Sequence, residues 1–433
     1  MKIGVISLGC AKNLVDTENL LGLLRFSGIE LTTDRDEADA IIINTCGFIE
    51  SAKQEAIDTI LDVADLKQNN LKKLIVMGCL SERYKPQLEE EMPEVDRFIA
   101  ISEYPEMGSI LSEVLGVKIT NNYGLVPRVL SGKPWMAYLQ ISDGCDNRCS
   151  FCAIPLIRGR LHSRKQDEIV SEAKQLVQSG VKEITLVAQD CARYGFDEDH
   201  KQHLGELLKK LDAIEGIHWI RLLYLYPDEV EDDLIELIRD AKHIVPYFDI
   251  PSQSGSNRIL KAMRRRTSRE KIISLCAKIR KEMPDAILRT TLISGFPSET
   301  EQDHQDTLAM VKEIDFDRLG VFTFSAEEGT PAFEMEDDVP EEIKAQRRKE
   351  ILAVQEEIAV KRLADRVGRS AEVLIESIDP LTGMYIGRSC EFAPDNVDGN
   401  VRFRSTKNHE PGEFVTVRYK KTSGQNLIGE EVS

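Results

Sequence analysis

MAYLQISDGCDNRCSFC, residues 136–152, runs an apolar segment of strand length straight into a cysteine loop. The loop places Cys145, Cys149 and Cys152 at spacing C-x3-C-x2-C, with no fourth cysteine beside them. A closed structural zinc site or a ferredoxin-type cluster takes four ligands. Three thiolates on a compact loop can instead hold three irons of a cubane 4Fe-4S cluster and leave the fourth iron free for an amino acid's amine and carboxylate. A zinc knuckle and incidental cysteines are the plain alternatives on this spacing alone.

Downstream, the same strand pattern recurs: EITLVAQ (183–189), WIRLLYL (219–225), IVPYFDI (244–250), AILRTTLI (286–293) and RLGVFTFS (318–325), with helical sequence such as DEIVSEAKQLVQSG between them. Counting MAYLQIS (136–142), this makes six βα units. That is too few for a closed eight-stranded barrel, so a partial barrel is expected, with its site at the carboxyl ends of the strands. The cysteine loop follows the first strand and falls in that mouth. The charged stretch 341–367 reads as a long amphipathic helix leading out of the barrel.

Upstream, residues 1–105 alternate near-continuous Ile/Val runs, KIGVISLG, ADAIIINTC, KLIVMGC and RFIAIS, with helical sequence, the pattern of a parallel sheet covered on both faces. Cys10, Cys46 and Cys79 each come directly after one of the first three runs. Such positions share the sheet edge where α/β proteins place ligands, so three cysteines distant in sequence can converge. Scattered buried thiols are the alternative reading.

The last 67 residues change character, with short β-like runs AEVLIESI, GMYIGRS, GNVRFRS and GEFVTVRYKK broken by turn signals. They suggest a small all-β barrel. Residues 367–433 hold eight Lys and Arg against ten Asp and Glu, which favours a protein-facing role over RNA gripping. The whole chain agrees: its formal net charge is -18, from 56 basic and 74 acidic residues among 433, the wrong sign for wrapping phosphate backbones. Length sets a prior of roughly three domains. The N-terminal sequence lacks a secretory pattern and no apolar run approaches the ~18 residues of a membrane helix, so a cytoplasmic location is expected. In a reducing compartment, an odd count of nine cysteines points to metal ligands or buried thiols rather than disulfides.

The C-x3-C-x2-C loop, with aromatic Phe151 before its last cysteine, resembles the radical S-adenosylmethionine superfamily, whose fold is a partial barrel of six βα units. The whole chain resembles the methylthiotransferase family: a flavodoxin-like N-terminal domain binding an auxiliary cluster (1–120), a radical S-adenosylmethionine core (131–365) and a small C-terminal TRAM barrel (367–433). SLGCAKNLVDTE (7–18), GCDNRCSFCAIPLIRGRLHSR, LVAQD and YLYPDEV look like the RimO branch, which modifies a ribosomal protein; Ser254 departs from the His expected there in many relatives. The resemblance implies methylthio transfer to the β-carbon of one aspartate in small-subunit ribosomal protein S-twelve. It implies two 4Fe-4S clusters as well. One, on Cys145, Cys149 and Cys152, would cleave S-adenosylmethionine to a radical that abstracts the hydrogen. The other, on Cys10, Cys46 and Cys79, would carry the sulfur that a second S-adenosylmethionine methylates. An external electron donor and a sulfur source are then required partners, and no direct tRNA binding or membrane contact is expected.

Other residues could face the mouth. Phe151 is expected to pack near the adenine, whereas Trp135 and Tyr138 read as core. Gln189 and Asp190 end the second barrel strand, Gln253 to Ser256 follow the fourth, and Arg289 lies on the fifth. The Arg289 fork suits a carboxylate, and a structural salt bridge suits it equally. Asn13 and Asp16 either support the N-terminal site or cap the helix after it. Cys191, Cys276 and Cys390 read as non-ligands. Arg264, Arg265 and Arg266 read as a solvated helix face, or as a contact for ribosomal RNA or an acidic partner. Two rival functions stay open: the same chemistry on a tRNA adenosine, and an iron-sulfur electron-transfer or cluster-carrier protein.

Overall fold

A computed structural model describes residues 1–432. The N-terminal unit comprises β1 (Lys2–Ser7), α1 (Ala11–Phe26), β2 (Glu30–Thr32), β3 (Ala40–Thr45), α2 (Glu50–Ala64), β4 (Lys73–Gly78), α3 (Cys79–Glu91), β5 (Arg97–Ile99) and α4 (Met107–Leu115). Its sheet is all parallel, in the order β2-β1-β3-β4-β5, the flavodoxin-like order. Ala40 to Ile43 are buried among helices on both sides, which is why β3 reads as an unbroken apolar run. The short β2 was not foreseen: ELT carries no apolar run. Helix α1 has no clean apolar stripe because both its faces are covered, one by its own sheet and the other by the next unit.

The central unit begins with β6 (Met136–Gln140), continues through the short pair β7 (Ser142–Asp143) and β8 (His162–Ser163) flanking α5 (Ile154–Ile157), and then alternates. In order follow α6 (Gln166–Gln178), β9 (Glu183–Val187), α7 (Phe196–Asp199), α8 (Leu204–Asp212), β10 (Trp219–Leu222), α9 (Asp232–Asp240), β11 (Tyr247–Asp249), α10 (Asn257–Ala262), α11 (Arg269–Glu282), β12 (Ile287–Ser294), α12 (Glu301–Ile314) and β13 (Arg318–Thr323). The six parallel strands form two three-stranded sheets, β6-β9-β10 and β11-β12-β13, joined by a parallel bridge between Ile220 and Ile244. This is the expected partial barrel, with a seam at its middle. Pro246 lies in the expected run 244–250 and cannot donate to a ladder, so the fourth strand shrinks to Tyr247–Asp249.

Along each strand, side chains alternate between two faces. Leu139, Ile184, Leu222, Phe248 and Leu288 point to the helices and build the main core, leaving Tyr138, Glu183, Arg221, Tyr247 and Arg289 for the lumen. Helix α13 (Glu341–Ala364) does not simply lead away. It packs along β12 and β13, where Ser294 donates to the Lys344 carbonyl and Arg348 to the Val321 carbonyl.

The C-terminal unit is a closed five-stranded barrel of β14 (Ser370–Ile378), β15 (Tyr385–Arg388), β16 (Val401–Arg404), β17 (Phe414–Ser423) and β18 (Asn426–Glu431), in the order β14-β15-β16-β18-β17. β18 was missed in the sequence because NLIGEE has one short apolar pair and no flanking run. This barrel closes the amino-terminal end of the lumen: Tyr138 donates to Asp395, Tyr247 to Asp398, and Arg221 to the Cys390 carbonyl. Glu183 sits between Arg221 and Arg388 at 2.8 and 2.6 Å, all three fully buried. Among the described residues no helix is long and apolar enough to cross a membrane.

Candidate active site

Cys10, Cys46 and Cys79 follow β1, β3 and β4 at the carboxyl edge of the N-terminal sheet. Between β1 and β3 the strand order reverses, which opens a ligand crevice. Gly78, at φ +103, makes the turn that starts α3 at Cys79; a Cβ there would lie 2.3 Å from Asn44 Oδ1. Asn13 Nδ2 donates to the Leu8 and Thr45 carbonyls at 3.2 and 2.9 Å. Its Oδ1 then lies 3.8 Å from Cys10 Sγ and 3.5 Å from Cys79 Sγ. Two thiols therefore meet one oxygen, and Cys46 lies against Gly9 beside them. Asn13 supports the site rather than capping the helix.

Burial pushes the Cys46 thiol up and Cys79 to about 12, each raised further by its neighbouring thiols. Neutral thiols this reluctant to ionise in a dry pocket become good ligands only when a metal takes the proton's place.

The second trio sits at the barrel mouth. Arg148 takes φ +52 inside the loop, and Gly144, at φ +72, approaches the chain so closely that a Cβ would lie 2.0 Å from the Arg160 carbonyl oxygen. Burial raises Cys145 to about 11, helped by Asp190 and Cys149, and Cys152 to about 12, helped by Cys149 and Cys145. Arg265 stacks 3.8 Å over the Tyr226 ring and lies 3.8 Å from Cys149 Sγ. Arg266 bonds Asn147 and Glu229. Of the basic run only Arg265 is buried against the site; Arg264 and Arg266 are exposed, Arg266 tying its bonds along the rim.

Arg158 joins the trios. Its Nη2 donates to Asp16 at 2.7 Å and Asn13 at 3.1 Å and lies 3.7 Å from Cys79 Sγ, while Nη1 pairs with Asp143 at 3.0 Å. Burial raises Asp16 to about 6 in spite of this guanidinium.

The other expected site residues divide. Gln189 donates to Asp143 at 2.8 Å and leaves its Oε1 buried without a partner. Gln253, at φ +70, likewise keeps an unpartnered Oε1. Each therefore holds a buried acceptor without a partner. Phe151 joins an apolar wall of Ile259, Met263, Phe296 and Phe324. Asp190 is buried, raised to about 6, and accepts from Asn147 and the Ala192 amide. Two of the expected residues find partners within the chain. Ser256 caps α10 and donates to Asp303 on α12 at 2.6 Å. Arg289 is committed to carboxylates of this chain, Asp249 at 2.7 Å and Asp398 at 3.7 Å.

Cys191 is fully buried with its sulfur against the Leu186 carbonyl, Cys276 is buried on α11, and Cys390 lies beside the C-terminal barrel. Each trio therefore stops at three cysteines. Among the described residues no three Cys, His, Asp or Glu side chains are spaced for a single metal ion. The donor set, soft thiols only, suits an iron-sulfur cluster, whose sulfur ligands meet different irons.

Comparison with known proteins agrees with this architecture. Residues 2–100 match Uncharacterized protein family UPF0004, residues 139–311 the Radical SAM superfamily and residues 367–432 the TRAM domain. The chain is 45% identical to the ribosomal protein uS12 methylthiotransferase RimO of Acetivibrio thermocellus, covering 100% of this chain and 98% of that one. It is 46% identical to the RimO of Pelotomaculum thermopropionicum, covering 100% and 99%. The chain belongs to the RimO family. Beyond the RimO family, the fold is similar to that of TsrM, a radical S-adenosylmethionine methyltransferase from Kitasatospora setae, with TM-score 0.54, 13% identity and 76% of each chain covered. It is also similar to OxsB, a cobalamin-dependent S-adenosylmethionine radical enzyme, with TM-score 0.54, 15% identity, and 82% of this chain and 56% of that one covered.

Three residues of the site escaped the sequence reading. Arg158 lay unremarked in PLIRGR, Lys12 beside Cys10 in CAKN, and Tyr224 in YLYPDEV. No spacing rule ties them to the cysteines; only the tertiary fold does.

Proposed function

We propose that this chain transfers a methylthio group to the β-carbon of an aspartate in ribosomal protein uS12. Residues 1–120 would hold the sulfur-carrying site, 131–365 the radical core and 367–433 the closing barrel. The observation that carries the proposal is Arg158, which lies 3.7 Å from Cys79 Sγ and pairs with Asp143, two residues before Cys145, on a chain nearly half identical to RimO proteins over its full length. Cys145, Cys149 and Cys152 would hold one 4Fe-4S cluster, and Cys10, Cys46 and Cys79 the other. Bound there, the pair supplies one-electron cleavage of S-adenosylmethionine and a sulfur that can be methylated and passed on.

The chain's own residues arrange the rest. Arg158 holds the two sites in register, since its two nitrogens bind carboxylates of both units. The free acceptors of Gln189 and Gln253 are available to polar groups of a bound S-adenosylmethionine, and Phe151 offers an apolar wall. The C-terminal barrel seals the lumen from below, and Val15 of α1 packs on Met136, Tyr138 and Val187 from the side. A reactive radical is thereby kept from bulk water.

The test is anaerobic reconstitution with iron and sulfide, then reaction with S-adenosylmethionine, a reductant and a peptide carrying the uS12 aspartate loop. Mass spectrometry should show the gain expected when SCH3 replaces hydrogen on the aspartate, and Cys149→Ala and Cys46→Ala should each abolish it. Deoxyadenosine formed without peptide modification would move the substrate to the intact ribosome or to tRNA. No deoxyadenosine from fully reconstituted protein would overturn the enzymatic reading in favour of a cluster carrier.

A further inference from the structure

Two lysines are buried among the described residues, and they are treated differently. Lys344 pairs with Asp337 and Glu341 at 2.5 and 2.7 Å. Lys12, only 8% exposed, pairs with no carboxylate among the described residues. Its Nζ donates to the Ala188 carbonyl at 3.1 Å and stands 4.0 Å from the centroid of the Tyr224 ring. An ammonium carries three N–H donors. One is used here, and a ring face offers only its quadrupole. Burying an unpaired charge is costly and is not kept without a partner or a purpose.

The surroundings point to a ligand. Ala188 and Tyr224 lie just beyond β9 and β10, so Lys12 reaches across from the N-terminal unit into the barrel mouth, two residues after Cys10. Tyr224 takes φ +60, a strained conformation for an aromatic residue. It is pinned there from both sides: its amide donates to Asp249 at 3.1 Å and its carbonyl accepts from the Cys191 amide at 2.9 Å. Such strain gathers where a ligand is clamped. The result is a desolvated, preorganised cation at the mouth, two residues along from Cys10.

We propose that Lys12 receives the side-chain carboxylate of the substrate aspartate and holds the adjacent carbon at the mouth. The inference rests on the aspartate reading above and adds the group that selects it. A neutral amide or a nucleobase in the same place would leave the ammonium uncompensated, so Lys12 also discriminates against such substrates.

The test uses the full-length reconstituted protein under anaerobic conditions, titrated with a fluorescent peptide carrying the uS12 aspartate loop and with the same peptide bearing Asp→Asn. The wild type should prefer the aspartate peptide by about thirtyfold or more. In Lys12→Gln and in Lys12→Met, which keeps the aliphatic stem against Tyr224, the two peptides should bind within about threefold of each other, while Lys12→Arg should retain the preference. A preference that survives in both neutral variants overturns the inference alone. Equal weakening of both peptides also overturns it, assigning Lys12 to the fold or the thiol site. A wild type that modifies neither peptide and does not discriminate overturns the substrate assignment and this inference together.

Discussion

Arg158 carries one charge toward two carboxylates from separate units, Asp16 on α1 and Asp143 ahead of the cysteine loop, both salt bridges falling on a guanidinium with almost no solvent exposure. Removing it leaves Asp16 buried without its counter-ion. Arg158→Gln should therefore destabilise the protein by about 3 kcal/mol or more, read as a lower urea midpoint at unchanged slope. Arg158→Lys should fall between, because a point-like ammonium cannot span both carboxylates as a planar fork does. The six cysteines were legible as residues, since three announced themselves by spacing and three by following strand runs. Arg158 and Lys12 were not, because a lone cation in sequence carries no mark of what it will face, and Arg265 showed only as one of a basic run. For Arg289 the sequence left a ligand carboxylate and a salt bridge equally open, because alternation along a strand names a face and not what lies opposite it; Asp249 and Asp398 lie opposite it here.

At the scale of elements, the cysteine loop is held by backbone geometry as much as by side chains. Gly144 occupies a left-handed conformation with the Arg160 carbonyl where a Cβ would be. Gly144→Ala should strain the loop and displace Cys145. Reconstituted iron and sulfide per chain should then fall toward half of the wild-type value, with the N-terminal trio still loading, as read by iron analysis and electron paramagnetic resonance. Strands were legible where apolar runs were long. β2 and β18 were not, since three- and six-residue strands with few apolar positions gain their pairing from neighbours already in place. Helix α1 also misleads as a sequence, having polar residues such as Asn13, Asp16 and Glu18 buried.

For the molecule as a whole, Glu183 is the hinge of the contact between the barrel and the C-terminal unit. Its two arginines hold its carboxyl low, at about 2, against the desolvation that alone would raise it. A depressed carboxyl contributes stability that is fully present above its unfolded value near 4.5 and is lost as pH falls toward 2. Glu183→Gln should cost about 3–5 kcal/mol at neutral pH, because Arg221 stays buried without its carboxylate. It should also flatten the acid-unfolding profile between those two pH values, measured by circular dichroism. The division of the chain into a parallel α/β unit, a six-stranded partial barrel and a small β-barrel was written in its apolar periodicities and turn signals, as was the placing of each thiol set at a strand's carboxyl end. Those are local properties, set by spacing along one chain. What only the tertiary structure decided is how the units meet: Arg158 pairing with carboxylates of two units, Lys12 reaching into a neighbour's mouth, and the C-terminal barrel sealing the lumen through Tyr138, Tyr247 and Glu183. Each of these pairs residues more than a hundred positions apart, chosen by which buried polar group meets which partner, and no periodicity in the sequence records that choice.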